Sequence, residues 1–253
     1  MNCVAVKWIE RLALCASIPL FLLMWQFAST SGLVNELLFP PPTAVAAALW
    51  DEFANGTLML DLGMSTMRVA VGFLTGAAVA ILIGLLTGRY AIVSNFLTPI
   101  FQLLRPIPPI AFVPIVILWF GLTEWGKWFL VFWGVFFTVW VATHLGVHRA
   151  DPALVRAARS LGASDRLLIR DVILPSALPT IFVGLRTAIS ISFYTLVAAE
   201  LAGAFAGLAY RIDLAHQNMQ TGQMLGGLVM LGVVSAAADR GFAMLSRRLV
   251  WWS

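Results

Sequence analysis

The chain has 253 residues, of which 60% are hydrophobic and only 11% are charged, about half the charged fraction of an ordinary soluble domain. So few charged side chains cannot cover a water-exposed surface of this size, and we infer that the apolar excess faces lipid. The formal net charge of +4 comes without a basic stripe carrying interleaved aromatic residues, which argues against a nucleic-acid partner.

Six stretches of the chain are long and apolar enough to cross a membrane, which takes about 20 residues per helix. We predict spans at Leu12–Thr30, Met64–Thr87, within Phe96–Phe120, Trp128–Val147, Pro179–Ala202 and Leu225–Leu245. We interpret the first as a helix and not a cleaved signal peptide, because no clear small-x-small cleavage site follows it. The predicted fold is an all-α membrane protein with about six transmembrane helices in one domain, residues 1–253.

The third predicted span is the least regular, because five prolines interrupt it. They are Pro99, Pro106, Pro108, Pro109 and Pro114. Non-helical backbone at membrane depth is tolerated only where protein or a cavity covers it. We therefore expect this segment to lie inside the helix bundle.

The distribution of Lys and Arg between the connecting loops predicts the orientation, because cytoplasmic loops carry the basic excess. With the N-terminus inside, the cytoplasmic side collects Lys7, Arg11, Arg89, Arg149, Arg156, Arg159, Arg166, Arg170, Arg240, Arg247 and Arg248. The outer side collects only Lys127 and Arg211. Both termini are therefore predicted to be cytoplasmic.

Two segments between the spans are long enough to have structure of their own. Residues 34–61 are predicted to be external, with Thr43 capping a short amphipathic helix over Val45–Phe53. Residues 148–175 form the longest cytoplasmic loop, where a soluble partner would have to act.

The cytoplasmic loop is predicted to contain two short helices around a glycine. One apolar stripe has the i, i+3, i+4, i+7 spacing of a helix face, at Leu154, Ala157, Ala158 and Leu161. Gly162 then interrupts the helix, because glycine readily adopts positive φ. Ser164 can cap a second helix that runs through Ile173, and Pro175 is expected to end it. Two helices displayed under the membrane predict a docking surface.

The same loop resembles the signature loop of ABC-importer permeases, whose pattern is Glu-Ala-Ala, three residues, Gly, nine residues, Ile-x-Leu-Pro. Here the string is Arg156-Ala157-Ala158, three residues, Gly162, nine residues and Val172-Ile173-Leu174-Pro175. The resemblance implies that this loop forms the coupling helix that seats in a groove of a cytoplasmic ATPase. The implied coupling residues are Arg156, Ala157, Ala158, Arg159, Leu161, Gly162, Ala163, Leu174 and Pro175. Because Arg156 replaces the family's glutamate, any ion pair that the glutamate makes is not expected here.

Further segments resemble the nitrate, taurine and alkanesulfonate branch of that family. They are Leu38-Phe39-Pro40-Pro41-Pro42, Leu104-Arg105-Pro106-Ile107-Pro108-Pro109, Trp119-Phe120-Gly121, Leu196-Val197-Ala198-Ala199-Glu200-Leu201 and the terminal Arg247-Arg248-Leu249 with Trp251. The branch implies a type I importer fold in the bacterial inner membrane, a homodimeric permease, two ATPase subunits and a periplasmic or lipid-anchored binding protein. It also implies a non-catalytic chain without a bound cofactor, with ATP and Mg on the partner ATPase, and a small anion such as taurine, another sulfonate or nitrate as substrate.

Two short motifs are weaker signals of ligand binding. Gly121–Lys127 has the Gly-x4-Gly-Lys opening of a phosphate-binding loop, but Trp128 stands where Ser or Thr is needed for magnesium. His144 and His148 are one helical turn apart, yet no third metal ligand is evident. We predict no nucleotide site at the first and an interfacial pair at the second.

Charged residues within the predicted spans are candidates for the translocation path, because an ionisable group in a membrane is costly and marks a functional site by default. On the fifth span, one helical face carries Arg186, Ser190, Phe193, Val197 and Glu200. Arg105, flanked by proline, is a second candidate, because a guanidinium favours carboxylate, sulfonate or nitrate. For both arginines an anchor at the inner interface is the alternative. Asp239 is expected to pair with a basic group of another helix.

Three pairs of glycines have the Gly-x3-Gly spacing that lets helices approach closely: Gly72/Gly76, Gly84/Gly88 and Gly222/Gly226. We predict packing roles for them, with the subunit dimer as one place where they could act.

Two other classes of protein compete with the importer permease. A secondary transporter or channel would favour an inverted repeat with two broken helices, whereas the sequence has one broken segment and no evident repeat. A membrane-embedded enzyme would need clustered His, Asp or Glu at membrane depth, and the sequence offers only His144 and His148.

Overall fold

The structure is a computed structural model that describes residues 3–32 and 34–250, with side chains described from residue 16 onward. These residues form α1 (Cys3–Thr30), α2 (Pro42–Ala54), α3 (Thr57–Arg89), α4 (Ala91–Leu104), a 3-10 turn (Pro109–Phe112), α5 (Val113–Phe120), α6 (Glu124–His148), α7 (Pro152–Ser160), α8 (Asp165–Leu168), a π turn (Ile169–Ile173), α9 (Leu174–Leu201), α10 (Leu208–Gln217) and α11 (Thr221–Leu249). The all-α class predicted from the sequence is confirmed for this part of the chain.

Within the described residues, four helices are long and apolar enough to cross a membrane. They are Thr57–Arg89, Glu124–His148, the continuous helix Asp165–Leu201 and Thr221–Leu249. Helices α4 and α5 qualify together as one span that bends by 85°. The described apolar part of α1, Ala16–Thr30, is shorter. Five of the six predicted spans thus overlap helices that qualify, counting the bent pair as one, and the first overlaps the shorter α1.

Helices α3, α6 and α9 form the core of the molecule. Glycines of α3 line its contact with α6, and a Cβ built on Gly72 would lie 2.5 Å from Val131 Cβ, while one on Gly84 would lie 2.5 Å from Thr143 Cβ. The backbones therefore touch where a larger residue would separate them, as the Gly-x3-Gly spacing predicts. The third glycine pair, Gly222/Gly226, faces α2 of the same chain.

Two groups of short elements lie at opposite ends of this core. At one end lie α2 and residues 202–220 including α10, which we call the cap. At the other end lie residues 151–173 with α7, α8 and the π turn, which we call the knob. Helix α11 packs against α10 and α2 near its start, and Thr221 Oγ1 donates a hydrogen bond to the Leu37 carbonyl.

The proline-rich segment lies on the surface of the bundle, not inside it as predicted. None of the α4 side chains is buried, and only Val116 is buried on α5. The chain remains hydrogen-bonded through its bend, because Ile107 N donates to Leu104 O and Ala111 N to Pro108 O. Phe101 anchors the segment by edge-to-face contact with Trp140, with ring centroids 4.9 Å apart.

Two predicted helix boundaries were wrong. Thr43 lies inside α2, which begins at Pro42, and the Gln26 side chain of α1 contacts the Thr43 amide and hydroxyl at 3.5 and 3.4 Å. Pro175 does not end the loop's second helix, which continues from Asp165 to Leu201. The π turn just before Pro175 widens the helix where proline lacks an N–H and would clash with an earlier carbonyl.

Candidate functional site: the knob, the α6–α9 groove and the cap cluster

The knob has the local structure predicted from its sequence. The Asp151 carboxylate caps α7 by accepting from Ala153 N at 2.8 Å. Gly162 has φ of +81° and turns the chain, and Ser164 Oγ caps α8 by accepting from Leu167 N at 3.4 Å. Glycine avoids the strain that a Cβ would bring at this φ, so the turn is encoded locally.

One side of the knob is anchored and the other is open. Leu168 and Ile173 are buried against Val147 of α6 and Ala177 of α9. Leu154, Leu161 and Leu167 are instead exposed, with Leu161 at the tip 88% exposed. Apolar side chains grouped on an exposed surface mark an interaction site.

The other predicted coupling residues divide in the same way. Arg156, Ala157, Arg159 and Gly162 are exposed, whereas Ala158, Ala163, Leu174 and Pro175 are half-buried. The two arginines therefore border the apolar tip and present a basic rim to whatever covers it.

An ion pair ties the knob to the end of α3. Arg89 NH2 donates to Asp165 Oδ1 at 2.6 Å, and the Arg89 guanidinium lies 5.6 Å from the centroid of the Tyr90 ring. Sequence reasoning placed Arg89 on the cytoplasmic side but did not foresee this partner, which is 76 residues away.

A groove of about 610 Å³ runs along the contact between α6 and α9. Its walls are mainly apolar, with Phe137, Val141, Val183 and Ile191 among them, and Thr138, Thr180 and Thr187 add hydroxyl groups. Arg105 and the adjacent prolines of the bent segment border it. The irregular backbone at the bend thus lies beside a groove, the setting in which a membrane protein tolerates it.

The predicted path residues of α9 do not share one open face. Arg186 and Ser190 are exposed and border a second recess with Asp239. Phe193 and Glu200 are buried and Val197 is half-buried, so the prediction that they line a cavity is wrong for this chain. Arg186 and Ser190 lie on the exposed side of α9 with Val183, Thr187 and Tyr194, whereas contacts with α3 and α10 cover the helix toward the cap.

Arg186 is paired across the bundle. Its Nε and NH2 donate to the two oxygens of Asp239 on α11, each at 2.8 Å. The partner predicted for Asp239 is therefore present, and a bidentate pair neutralises most of the charge that Arg186 would offer to an anion.

A buried charge cluster, which sequence reasoning missed, holds the cap to the bundle. Arg68 of α3 is 1% exposed and donates to Glu124 through Nε and NH2 at 2.8 Å and to Glu200 through NH1 at 2.9 Å. Glu200 also accepts from Ser65 Oγ at 2.6 Å and from Ala209 N of α10 at 2.8 Å. Both Arg68 and Glu200 stand inside apolar runs, and two opposite charges at membrane depth were the signal that could have suggested their pairing.

Lys127 and Arg211, the two basic residues predicted to face outward, belong to the same cluster. Lys127 Nζ donates to Glu124 at 2.9 Å, and Arg211 Nε donates to Asp61 at 2.8 Å. Asp61 also accepts from Gly207 N at 2.8 Å. Lys127 and Arg211 therefore each have an acidic partner within the chain.

Glu52 of α2 is a further carboxyl group close to this cluster. It is 6% exposed, and its Oε1 has no hydrogen-bond partner. Burial raises the pKa of Glu52, nearby Arg211 opposes that rise and nearby Asp61 adds to it. A buried carboxyl without a partner favours its protonated form.

The phosphate-loop-like segment Gly121–Lys127 and the pair His144/His148 make contacts within the chain. Lys127 lies in the ion-paired cluster and the Gly121–Lys127 segment joins α5 to α6, without the preceding strand that a phosphate-binding loop requires. His144 Nδ1 is 3.1 Å from Thr87 Oγ1 and His148 Nδ1 is 3.1 Å from the His144 carbonyl. The described residues contain no group of three or more potential metal ligands.

The sequence matches the family described as binding-protein-dependent transport system inner membrane component over residues 76–251. The putative aliphatic sulfonates transport permease protein SsuC of Bacillus subtilis (strain 168) is 35% identical, covering 97% of this chain and 88% of the relative. The taurine transport system permease protein TauC of Escherichia coli (strain K12) is 33% identical over 93% and 88%. The bicarbonate transport system permease protein CmpB of Synechocystis is 30% identical over 90% and 84%.

The fold is also found in solved transporters. A chain of the inward-facing MetNI methionine ABC transporter matches with a TM-score of 0.57 at 20% identity, covering 81% of this chain and 95% of that one. An amino acid ABC transporter with histidines matches with a TM-score of 0.51 at 17% identity, covering 73% and 90%. The chain therefore belongs to the family of binding-protein-dependent transport system inner membrane components, and it is a membrane permease subunit of an ABC importer.

Proposed function

We propose that this chain forms half of the translocation path of a bacterial inner-membrane importer for a small anion and converts ATP hydrolysis on a partner into movement of the path. The observation that carries the proposal is the knob, an anchored helical projection with an exposed apolar tip and a basic rim. ATP and Mg would be held by the partner, and this chain would bind no cofactor.

The knob supports docking to a separate ATPase. Leu154 and Leu161 would be buried in a groove of that partner, because exposed apolar groups gain by leaving water. Arg156 and Arg159 would meet acidic groups at the rim, where the family's usual glutamate would meet basic ones. Because Leu168 and Ile173 pack the knob against α6 and α9, a displacement of the tip would also move these two helices, which border the groove.

The groove supports transport of an anion. Arg105 borders it, and among the described residues no ion pair engages this guanidinium. The relatives' names specify aliphatic sulfonates, taurine and bicarbonate, all of which carry a negatively charged group near neutral pH. With Arg186 bound by Asp239, Arg105 is the better candidate for attracting such a substrate.

The open side of the groove supports a homodimer. Val183 and Tyr194 are largely exposed, and a second copy facing this side would close the groove into a path. Two ATPase subunits would then dock on two knobs, and a periplasmic or lipid-anchored binding protein would deliver substrate at the cap. This arrangement puts the knob and both termini in the cytoplasm, as the basic residues predict.

The proposal is tested by co-purifying the chain with its ATPase and reconstituting both in liposomes with the binding protein. We expect loaded binding protein to stimulate ATP hydrolysis, with sulfonate, taurine, nitrate and bicarbonate compared as cargo. Leu161→Glu should abolish co-purification of the ATPase, because it places a charge at the apolar tip. Met219→Gln is the matched control, since Met219 is 81% exposed at the cap and should leave co-purification unchanged.

Solute movement down its gradient by the chain alone, without any co-purifying ATPase, would overturn the proposal in favour of a secondary transporter or channel. Equal ATPase recovery with wild-type chain and Leu161→Glu would contradict the role given to the knob.

A further inference from the structure

Helix α3 carries ion pairs in its first half and at its last residue, and they connect it to the cap cluster and to the knob. Asp61, near the start of α3, binds Arg211 of the cap. Near the cap, Arg68 binds Glu124 and Glu200. At the other end, Arg89 binds Asp165 of the knob. The distance between Arg68 and Arg89 along the helix is about 31 Å, from a rise of 1.5 Å per residue.

Helices α3 and α6 are built as a stiff pair. Neither contains a proline, which is the commonest cause of a sharp helix kink. Their contact is lined by glycines over most of its length, from Gly72 near Val131 to Gly88 near Val147. A helix packed this closely along one neighbour has little freedom to bend away from it.

The cap is fixed to one end of this pair by charges that are costly to separate. The start of α10 donates Gly207 N to Asp61 and Ala209 N to Glu200. Lifting α10 would leave buried carboxylates with fewer partners, and an uncompensated buried charge is strongly unfavourable. A protein that pushes on the cap therefore pushes on α3 and α6.

The knob contacts α3 through an ion pair but contacts α6 and α9 through apolar side chains. The apolar contacts are made by Leu168 and Ile173, and apolar packing is non-directional. Among the described residues, Arg89–Asp165 is the ion pair that joins the knob to another part of the chain. It links the last residue of α3 to the first residue of the continuous helix Asp165–Leu201.

We propose that the α3–α6 pair is a strut that carries the signal of binding-protein docking from the cap to the knob, and that Arg89 is the positioning residue that passes it to Asp165. This inference rests on the proposed function. Arg89 does not touch substrate or nucleotide in this mechanism. It orients the surface that the ATPase holds.

The test uses the reconstituted complex with its ATPase and binding protein. Wild type is compared with Arg89→Gln, Asp165→Asn and the charge swap Arg89→Asp with Asp165→Arg. In each single variant we expect normal co-purification of the ATPase and normal hydrolysis without binding protein, because the exposed tip of the knob is unchanged. Stimulation by loaded binding protein should fall about threefold to fivefold, the range for a partly exposed ion pair, and the charge swap should restore at least half of it.

Asp171→Asn is the matched control. Asp171 pairs with its chain neighbour Arg170 at 3.6 Å, and both side chains are exposed, so this variant changes a knob charge without breaking a link to α3. Full stimulation in Arg89→Gln, or a charge swap no better than the single variants, would overturn the strut. Loss of co-purification in Arg89→Gln would also overturn it, because Arg89 would then act in docking. A wild-type complex that responds to no binding protein would instead refute the proposed function.

Discussion

Arg68 lies between two carboxylates with 1% of its side chain exposed, and its charge is needed by both. Glu200 forms its ion pair with Arg68 and also accepts from Ser65 and Ala209. The cluster contains three basic and three acidic residues, so it is neutral only while it is complete. They are Arg68, Lys127, Arg211, Asp61, Glu124 and Glu200.

Removing Arg68 should therefore destabilise the protein strongly. We expect Arg68→Met to lower the free energy of unfolding by about 3–5 kcal/mol, because it leaves the buried Glu200 carboxylate uncompensated. Arg170→Gln, which breaks an exposed pair, should change it by less than about 1 kcal/mol. The stability of the two variants is compared by the fraction of monodisperse protein that remains after heating in detergent. Similar melting of the two variants would show that the cluster does not stabilise the cap.

Because of Glu52, we expect the cap to become less stable as the pH rises. Its pKa is raised by burial in the folded protein, so its contribution to stability is full below the unfolded pKa and is lost as the pH rises through the folded pKa. Glu52→Gln keeps the shape and cannot ionise.

We therefore expect hydrogen exchange in α2 to speed up in wild type, beyond the intrinsic chemical effect, as the pH rises above the ordinary range of a carboxyl pKa. In Glu52→Gln this excess should disappear. An identical pH dependence in both proteins would mean that Glu52 does not change its protonation over the pH range tested, which would contradict the prediction.

At the scale of elements, the α3–α6 contact depends on glycine at particular positions of one helix. A Cβ on Gly84 would lie 2.5 Å from Thr143 Cβ, whereas one on Gly63 of the same helix would meet nothing within 4 Å. Comparing alanine substitutions of the two glycines therefore distinguishes the need for close packing at Gly84 from the general destabilising effect of glycine in a helix.

Gly84→Ala should destabilise the protein by about 1–3 kcal/mol through overpacking. Gly63→Ala should instead be neutral or stabilise it by up to about 1 kcal/mol, since alanine is the better helix former. Thermal inactivation of the reconstituted complex distinguishes them. Equal effects of the two substitutions would show that the helices can separate without cost.

The elements also show which features the sequence encodes locally. The turn at Gly162 and the cap at Ser164 were predictable because each depends on residues within one helical turn. The end of the loop's second helix was mispredicted because the π turn accommodates Pro175, and this adjustment has no short sequence signature. The predicted burial of the proline-rich segment was wrong, because burial depends on which helices cover the segment and the sequence does not show this.

The cluster could not be predicted in the same way, since its members are distant in the chain. Arg68 and Glu200 are 132 residues apart, and only the packing of α3 against α9 and α10 brings them together. Periodicity placed Glu200 on the face of Arg186, but tertiary contacts covered the cap end of that face.

At the scale of the whole molecule, the cap and the knob lie at opposite ends, so they should be accessible from opposite sides of the membrane. After Cys3 and Cys15 are replaced by Ser, Met219→Cys and Leu161→Cys each provide one exposed thiol. A membrane-impermeant maleimide should label Met219→Cys in intact cells whose outer membrane is permeabilised, and Leu161→Cys only in inverted vesicles from cells that lack the ATPase, which would otherwise cover the tip. Labelling of both from one side would refute the proposed orientation.

The spacing of the cluster along the chain has a consequence for biosynthesis. Arg68 leaves the ribosome 56 residues before Glu124 and 132 residues before Glu200. At about 5–20 residues per second, Arg68 waits about 3–11 s for its first acidic partner and about 7–26 s for its second. During that interval the nascent α3 carries an unpaired guanidinium, so the finished cap can assemble only after most of the chain has been inserted. A chain truncated before Glu124 retains an unpaired guanidinium in α3, and one truncated before Glu200 lacks the second partner, so incomplete permeases differ from complete ones in a buried charge.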